Sequence, residues 1–425
     1  MKKKNIPYSI PYIDDREIGE VVKVLKGKWI TTGSEVKKFE ELVKKYLGVG
    51  MAVAVSSGTA ALEISLAVQG VGEGDEVLTT AYTFASTALA IIHRGAIPVF
   101  ADIEADTFNI DPGKIEEKIG REYELTAAGL QSKKTNRFLR GIIPVHFGGQ
   151  PAEMRTIREI AGRYGLFIVE DAAHAIGAVH RGEKIGKSPH PVCFSFYSNK
   201  NMTTGEGGMI VMDCDCREWE KKLRMYSLHG LSKDAVERYK TGLPFYDIVY
   251  PGFKANLTDI QAALGVVQVK KLPVIDRLRN RVAAWYDEFL AGVDEITTPV
   301  TRVYNHSARH LYPVLLNPKL KRCRDEVIIE LRKKGICPSV HFIPVHFHSF
   351  FKTFFKEEIK LPVTEDLFSR EISLPIYPGL NRSDVEYVAD MLKGIIGTGI
   401  SEKVSKKTQA GNGGHSRPAG GRDIK

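Results

Sequence analysis

Three short runs carry side chains whose chemistry goes beyond the needs of a core or a solvated face. Lys200 closes Ser195-Phe196-Tyr197-Ser198-Asn199-Lys200 and precedes Gly205-Glu206-Gly207-Gly208. A lysine after an apolar strand and before a glycine-rich turn is placed to be held partly out of water. Desolvation disfavours the ammonium, lowers the pKa and frees the amine as a nucleophile. Taken alone, Lys200 also fits an ordinary surface lysine. Asp171, in Val169-Glu170-Asp171-Ala172-Ala173-His174, ends an apolar run, at the edge where α/β folds place ligands. Its carboxylate suits a protonated ring nitrogen, and equally a helix N-cap. Ser56-Ser57-Gly58-Thr59-Ala60 joins an apolar run to a helical stretch. Backbone N–H groups, the positive helix end and hydroxyls there suit a phosphate. Ser and Thr also cap helices in any fold.

The combination is more specific than its parts. A phosphate cradle, an acid at a strand end and a lysine about thirty residues after it are the three anchors of pyridoxal phosphate (PLP). The amine takes the aldehyde, the acid the pyridine nitrogen, and the cradle the phosphate.

Elements of the right kind surround these runs. Residues 14–25 have apolar side chains at helical spacing (Ile18, Val21, Val22, Leu25), with Gly27 as the expected stop. A second helix is predicted over 34–46, closed by Gly48. From about 50 to 215, apolar runs at 51–55, 76–79, 97–100, 141–145, 166–170, 192–196 and 209–212 alternate with helical stretches. This is the pattern of an α/β fold with a mostly parallel sheet covered on both faces. Residues 120–140 are polar and basic and are expected as an exposed excursion. A long helix follows Leu257 to Lys270, with Pro273 expected to start or kink the next. The expected organisation is an N-terminal arm and helix (1–30), a large α/β domain (31–270), a smaller α+β domain (271–397) and a disordered basic tail (398–425).

Composition sets the outer limits. The chain has 425 residues, 43% of them hydrophobic, and a formal charge of +9. Residues 401–425 hold six Lys/Arg and two Asp/Glu, so the remaining charge is modest. It suits an anionic substrate without demanding nucleic acid, and the tail has no aromatic side chain to stack on bases. No run of about 18 apolar residues predicts a membrane span, and the start lacks the apolar stretch of a secretory signal. A cytoplasmic location is expected. The five cysteines are scattered and suggest no disulfide framework.

The order and wording of these segments resemble the DegT/DnrJ/StrS family of PLP-dependent sugar aminotransferases, over roughly residues 5–395. The matching text includes Trp29-Ile30-Thr31-Thr32-Gly33, Ser56 to Ala60, Tyr82-Thr83-Phe84-Ala85-Ser86-Thr87, Glu170 to His174, Ser195 to Lys200, Gly205 to Gly208 and Asn256-Leu257-Thr258-Asp259. The resemblance implies the type I aspartate aminotransferase fold and a homodimer with shared active sites. It implies that Lys200 forms the Schiff base with PLP and shuttles a proton, and that Asp171 pairs with the pyridine nitrogen. Phe84 would stack on the ring, His174 would lie near the ring hydroxyl, and Gly58, Thr59 and Ser195 would bind the phosphate. Asn256 would reach the phosphate held by the neighbouring subunit. The stretch Ser339-Val340-His341-Phe342 is most similar to the branch that makes UDP-4-amino-4-deoxy-L-arabinose. His341 and Phe342 would then face a nucleotide-sugar pocket, together with Trp29, Ile30 and Thr31. His341, His346 and His348 lack a carboxylate at ligand spacing, so no metal is expected.

The implied reaction is ping-pong transamination from L-glutamate to a nucleotide-linked keto sugar. A dehydrating branch of the family carries histidine where Lys200 stands, and an aromatising relative is a further alternative. A regulatory or nucleic-acid-binding protein on the same scaffold is the alternative from another class.

Overall fold

The computed structural model of the protein describes residues 4–232 and 245–409. Met51–Val55 pairs antiparallel with Gly208–Met212, which pairs antiparallel with Val192–Ser195, and that strand runs parallel to Glu170–Asp171. Phe138–Ile143 is parallel to Phe167–Ile168 and to Asp75–Thr80, which is parallel to Ile97–Ala101. A bridge between Val145 and Asp171 joins the two groups. The result is one mostly parallel sheet in which Gly208–Met212 runs antiparallel to both of its neighbours.

Burial shows why these runs carry so few polar residues. Ala52 and Ala54 of the first strand pack with Val36, Phe39 and Val43 of helix Ser34–Leu47 and with Val266 and Val269 of the long helix. Met51, Val53 and Val55 of the same strand pack on the other side with Ala61, Ile64 and Leu223. Successive side chains of a strand alternate faces, so a strand covered on both must be apolar throughout.

The ends of the predicted elements shift where packing overrides local signals. Helix Asp15–Gly27 retains Gly27, and Lys28 takes the left-handed conformation (φ 62°) that closes it on the Leu25 carbonyl. Pro273 lies inside one continuous helix, Asp259–Phe289, instead of starting a new one. Proline removes one helical hydrogen bond, and here the helix is held along its length by its neighbours. At one end Val266, Val269 and Leu272 belong to the first core. Further on, Val282, Ala283 and Tyr286 belong to a second. Lys271, almost fully buried, ties this helix to the N-terminal one through Glu17 at 2.6 Å and Asp14 at 2.9 Å. The expected excursion at 120–140 is a hairpin, Tyr123–Thr126 and Gly129–Ser132, paired onto Phe138–Ile143. It is held because Tyr123 and Leu130 are buried and the Tyr123 hydroxyl donates to Glu76 at 2.6 Å. Cys214 and Cys216 form a disulfide, their Cα atoms 5.3 Å apart, a link that the scattered cysteines did not suggest.

The second core gathers Ile6, the later part of the long helix, and the strands Tyr312–Leu316 and Glu371–Leu374. The last helix, Arg382–Gln409, extends past residue 398, the expected start of a disordered tail. Glu402, Lys403, Lys406 and Lys407 are good helix formers, and no proline intervenes before Pro418. The remainder of that tail, 410–425, lies outside the described residues.

Candidate functional site

The three chemical runs meet because each follows the carboxyl end of a strand. Asp171 ends its strand, Ser195 ends the next one, and Ser57 to Thr59 follow Val55. Those strands run in the same direction, so their ends open on one edge of the sheet. A cavity of about 470 Å³ lies there, lined by Gly58, Thr59, Phe84, Asp171, His174, Ser195, Lys200, His341 and Phe342, among others.

Ser57 caps the helix Gly58–Val68, its hydroxyl accepting the Ala60 N–H at 3.0 Å. The capping and phosphate readings of this run are therefore compatible: Gly58 and Thr59, ahead of the first helical hydrogen bond, face the cavity. Gly58 sits hard against Ser195. A Cβ at position 58 would lie 2.8 Å from Ser195 Cβ and 3.3 Å from its Oγ.

Asp171 is buried and firmly held. Its Oδ2 accepts the Thr87 hydroxyl at 2.7 Å, and its Oδ1 accepts the Ala173 N–H at 3.2 Å. Lys200 hangs from a turn pinned at both ends. Its N–H donates to the Tyr197 carbonyl at 3.0 Å, and Phe196 is bonded through its N–H to Gly207 and through its carbonyl to Thr203 and Thr204. Burial pushes the Lys200 amine down to about 8, with Asp171 opposing the shift. An amine so placed is partly neutral near physiological pH, as nucleophilic attack requires.

His174 is neutral, its pKa driven well below the ordinary value by burial, then by Lys200 and His341. Its Nδ1 accepts the Gly148 N–H at 3.3 Å, so the ring proton sits on Nε2 as a hydrogen-bond donor. The ring stacks on Phe342 at 5.7 Å and meets His310 at 4.3 Å. Phe84 is 63% exposed at the cavity and 6.1 Å from Phe342. His341 and Phe342 arrive from far along the chain, because Ser339 pairs with Ser373 on strand Glu371–Leu374.

Four expected site residues lie elsewhere. Trp29, Ile30, Thr31 and Asn256 do not line this cavity. They form a separate face: Asn256 donates to the Thr32 hydroxyl at 2.7 Å, the Trp29 indole N–H donates to the Thr32 carbonyl at 3.1 Å, and the Thr31 carbonyl accepts the Asp259 N–H at 3.2 Å. Asp259 in turn anchors the N–H groups of Gly33 and Val36. The histidines 341 and 346 also diverge, to Ser373 and Glu365.

Thr87, His310, Tyr8, Ser373 and Glu371 support the site and were missed. Thr87 had a faint signal, lying four residues from Thr83 at helical spacing, and the two hydroxyls are 2.9 Å apart. The others carry no local pattern.

The residues present fit PLP. A cradle that leaves no room for a Cβ, a fixed carboxylate, a neutral histidine donor and a desolvated lysine converge on one cavity. Gly58, Thr59 and Ser195 would hold the phosphate, Asp171 the pyridine nitrogen and Lys200 the aldehyde.

A family model described as the DegT/DnrJ/EryC1/StrS aminotransferase family matches residues 11–393. The spore coat polysaccharide biosynthesis protein SpsC of Bacillus subtilis is 39% identical over 402 residues, covering 93% of this chain and 99% of SpsC. Among solved structures, Spr1654 of Streptococcus pneumoniae in its PMP form superposes with a TM-score of 0.84 at 33% identity, covering 93% of this chain and all of that one. Helicobacter pylori PseC, an aminotransferase involved in the biosynthesis of pseudoaminic acid, superposes at 0.83 with 28% identity, again over 93% of this chain and 100% of its own. Among the described residues, no helix is long and apolar enough to cross a membrane.

Proposed function

The chain belongs to the DegT/DnrJ/EryC1/StrS aminotransferase family, and from that premise we propose that it moves an amino group from L-glutamate to a nucleotide-linked keto sugar, with a UDP-4-keto sugar as the acceptor. The product is an amino sugar for cell-surface glycan synthesis, made in the cytoplasm. The chain is an aminotransferase of the type I PLP fold, and its cofactor is PLP. The single observation that carries the reading is the placement of the Lys200 amine and the Asp171 carboxylate on one cavity with the Gly58 cradle. The parts played by SpsC in spore coat polysaccharide biosynthesis and by PseC in the biosynthesis of pseudoaminic acid support the sugar acceptor.

When bound, the cofactor supplies an aldehyde for amines and a ring that delocalises the electrons left by a departing Cα proton. The chain supplies the rest. Lys200 Nζ, partly neutral through burial, takes the proton from the amino acid's Cα and later returns one to the sugar carbon. Asp171, fixed by Thr87 and Ala173, holds a proton against the ring nitrogen and preserves the positive charge there. His174 offers its Nε2–H to an oxygen on the ring. Ser195 and the N–H groups at the start of the helix hold the phosphate.

We further propose that the working unit is a homodimer. Ile18, Val22 and Leu25 expose one apolar stripe on the N-terminal helix, continuing to Ile30. Stripes of this kind mark interfaces. The face that carries Asn256 and Thr31 adjoins it, so a second copy docked there receives Asn256 at its phosphate and the arm at its sugar pocket.

The direct test loads the protein with pyridoxamine phosphate and offers UDP-, GDP- and dTDP-linked keto sugars in turn. The acceptor restores the absorbance of the aldehyde form. Restoration by 2-oxoglutarate but by no nucleotide sugar overturns the sugar reading.

A further inference from the structure

His341 lines the cavity, but its Nδ1 engages groups outside the lining. Nδ1 is 2.9 Å from Ser373 Oγ, and Ser373 Oγ is 2.5 Å from Glu371 Oε1. Glu371 Oε2 accepts the backbone N–H of His341 itself at 2.9 Å. Glu371 and Ser373 are both fully buried, so the row is closed to water at its far end. Among the described residues, the hydrogen bonds of the His341 ring all fall on Nδ1. Nε2 is left for a bound molecule.

We propose that His341, Ser373 and Glu371 form a proton relay that exchanges one proton with a substrate oxygen in the cavity. His341 makes the contact, and Ser373 and Glu371 are positioning residues that act through it. The proposal rests on the aminotransferase reading: when a keto oxygen leaves as water it needs protons, and the relay delivers one.

The row has two self-consistent proton arrangements. With Glu371 ionised, Ser373 donates to Glu371, Nδ1–H donates to Ser373, and Nε2 is an acceptor. With Glu371 protonated, Glu371 donates to Ser373, Ser373 donates to Nδ1, and Nε2 carries the proton as a donor. A proton given up at Nε2 is replaced at Nδ1 from the Ser373 hydroxyl, which is refilled from the Glu371 carboxyl. One proton leaves at the cavity end, one negative charge appears on Glu371, and the imidazole is neutral before and after.

The surroundings favour this route over a charged imidazole. Burial, then the charge of Lys200, lowers His341 to about 3, so an imidazolium is strongly disfavoured. Burial raises Glu371 to about 8 against the bonds from Ser373 and His341 and the more distant Arg324. The proton therefore resides on the carboxyl and not on the ring. Other groups around the row are few. Tyr8 stacks on His341 at 5.2 Å, with its hydroxyl 3.5 Å from Nδ1. Tyr82 is buried, and its hydroxyl has no partner among the described residues. Arg324 is bound to the Phe368 carbonyl and paired with Asp325. On the cavity side stand Lys200, His174 and His310.

The test is the tautomer of His341, read by 15N NMR on holoenzyme labelled at histidine, with the signal assigned by its loss in His341→Gln. The wild type is expected to carry the proton on Nε2 below pH 8 and on Nδ1 above it. In Glu371→Gln the side-chain oxygen must face the His341 N–H, so its NH2 faces Ser373 and locks the proton on Nε2 at every pH. The same variant slows amino transfer to the keto sugar by about 10²-fold. Ser373→Ala, which keeps the Glu371 bond to the His341 backbone, abolishes the switch even if Glu371→Gln fails to fold; Ser373→Thr retains it. A single tautomer from pH 6 to 10 in the wild type, or a switch that survives Ser373→Ala, overturns the relay. The glutamate-induced change in cofactor absorbance is recorded in parallel, so a failed relay is distinguished from a failed aminotransferase reading.

Discussion

Thr87 Oγ donates to Asp171 Oδ2 at 2.7 Å, and both side chains are buried. The bond holds the carboxylate at the strand end where the sheet presents it to the cavity. A hydrogen bond to a charged group is worth about 1.5–3 kcal/mol, so Thr87→Val should slow the glutamate half-reaction about tenfold or more. Thr87→Ser should retain most of the rate. Stopped-flow absorbance measures both, and a wild-type rate in Thr87→Val would mean that Asp171 needs no such support.

Asp171→Asn keeps the shape and removes the charge that holds the ring proton. Turnover is expected to fall by about 10²-fold or more, the size seen when one electrostatic group is lost from a dry site. The cofactor should remain bound, as its absorbance will report. A near-normal rate would assign the ring nitrogen to another acid.

Borohydride reduction should fix the cofactor to the Lys200 peptide of the holoprotein, as peptide mass mapping would show. Lys200→Ala should bind cofactor without fixing it and should lose turnover. Label on any other lysine contradicts the assignment.

The lowered Lys200 pKa makes a pH prediction. The amine is protonated below about 8 and neutral above it. Covalent uptake of PLP by the apoprotein should therefore accelerate as pH rises from 6.5 to 8 and level off beyond 9. An inflection near the ordinary lysine value, about 10.4, would mean that the side chain is solvated.

Gly58→Ala places a methyl 2.8 Å from Ser195 Cβ. Overpacking of this kind costs about 1–3 kcal/mol, and here it displaces the cradle. Cofactor affinity, measured by fluorescence titration, should weaken by at least about fivefold with the fold intact by circular dichroism.

Residue type and order alone singled out the candidate anchors. Asp171 ends an apolar run, the Ser57-Gly58-Thr59 turn begins two residues after one, and Lys200 stands four residues after another, so the strand end and the functional group are read in the same few residues. The alternation of apolar runs with helical stretches likewise set the covered parallel sheet, because a strand buried on both faces has little room for polar side chains. Register and distant contacts were a different matter. Pro273 stays inside its helix because two separate cores grip that helix, and the hairpin at 123–132 joins the sheet through Glu76, a partner 47 residues from Tyr123. Glu371, Ser373 and Tyr8 reach His341 across separations of 30, 32 and 333 residues. Trp29 and Asn256 come together because both bond to Thr32. A linear chain records which side chains it has and how they alternate. Only the closed tertiary structure decides which buried polar groups must satisfy one another, since that pairing follows from which segments exclude water together.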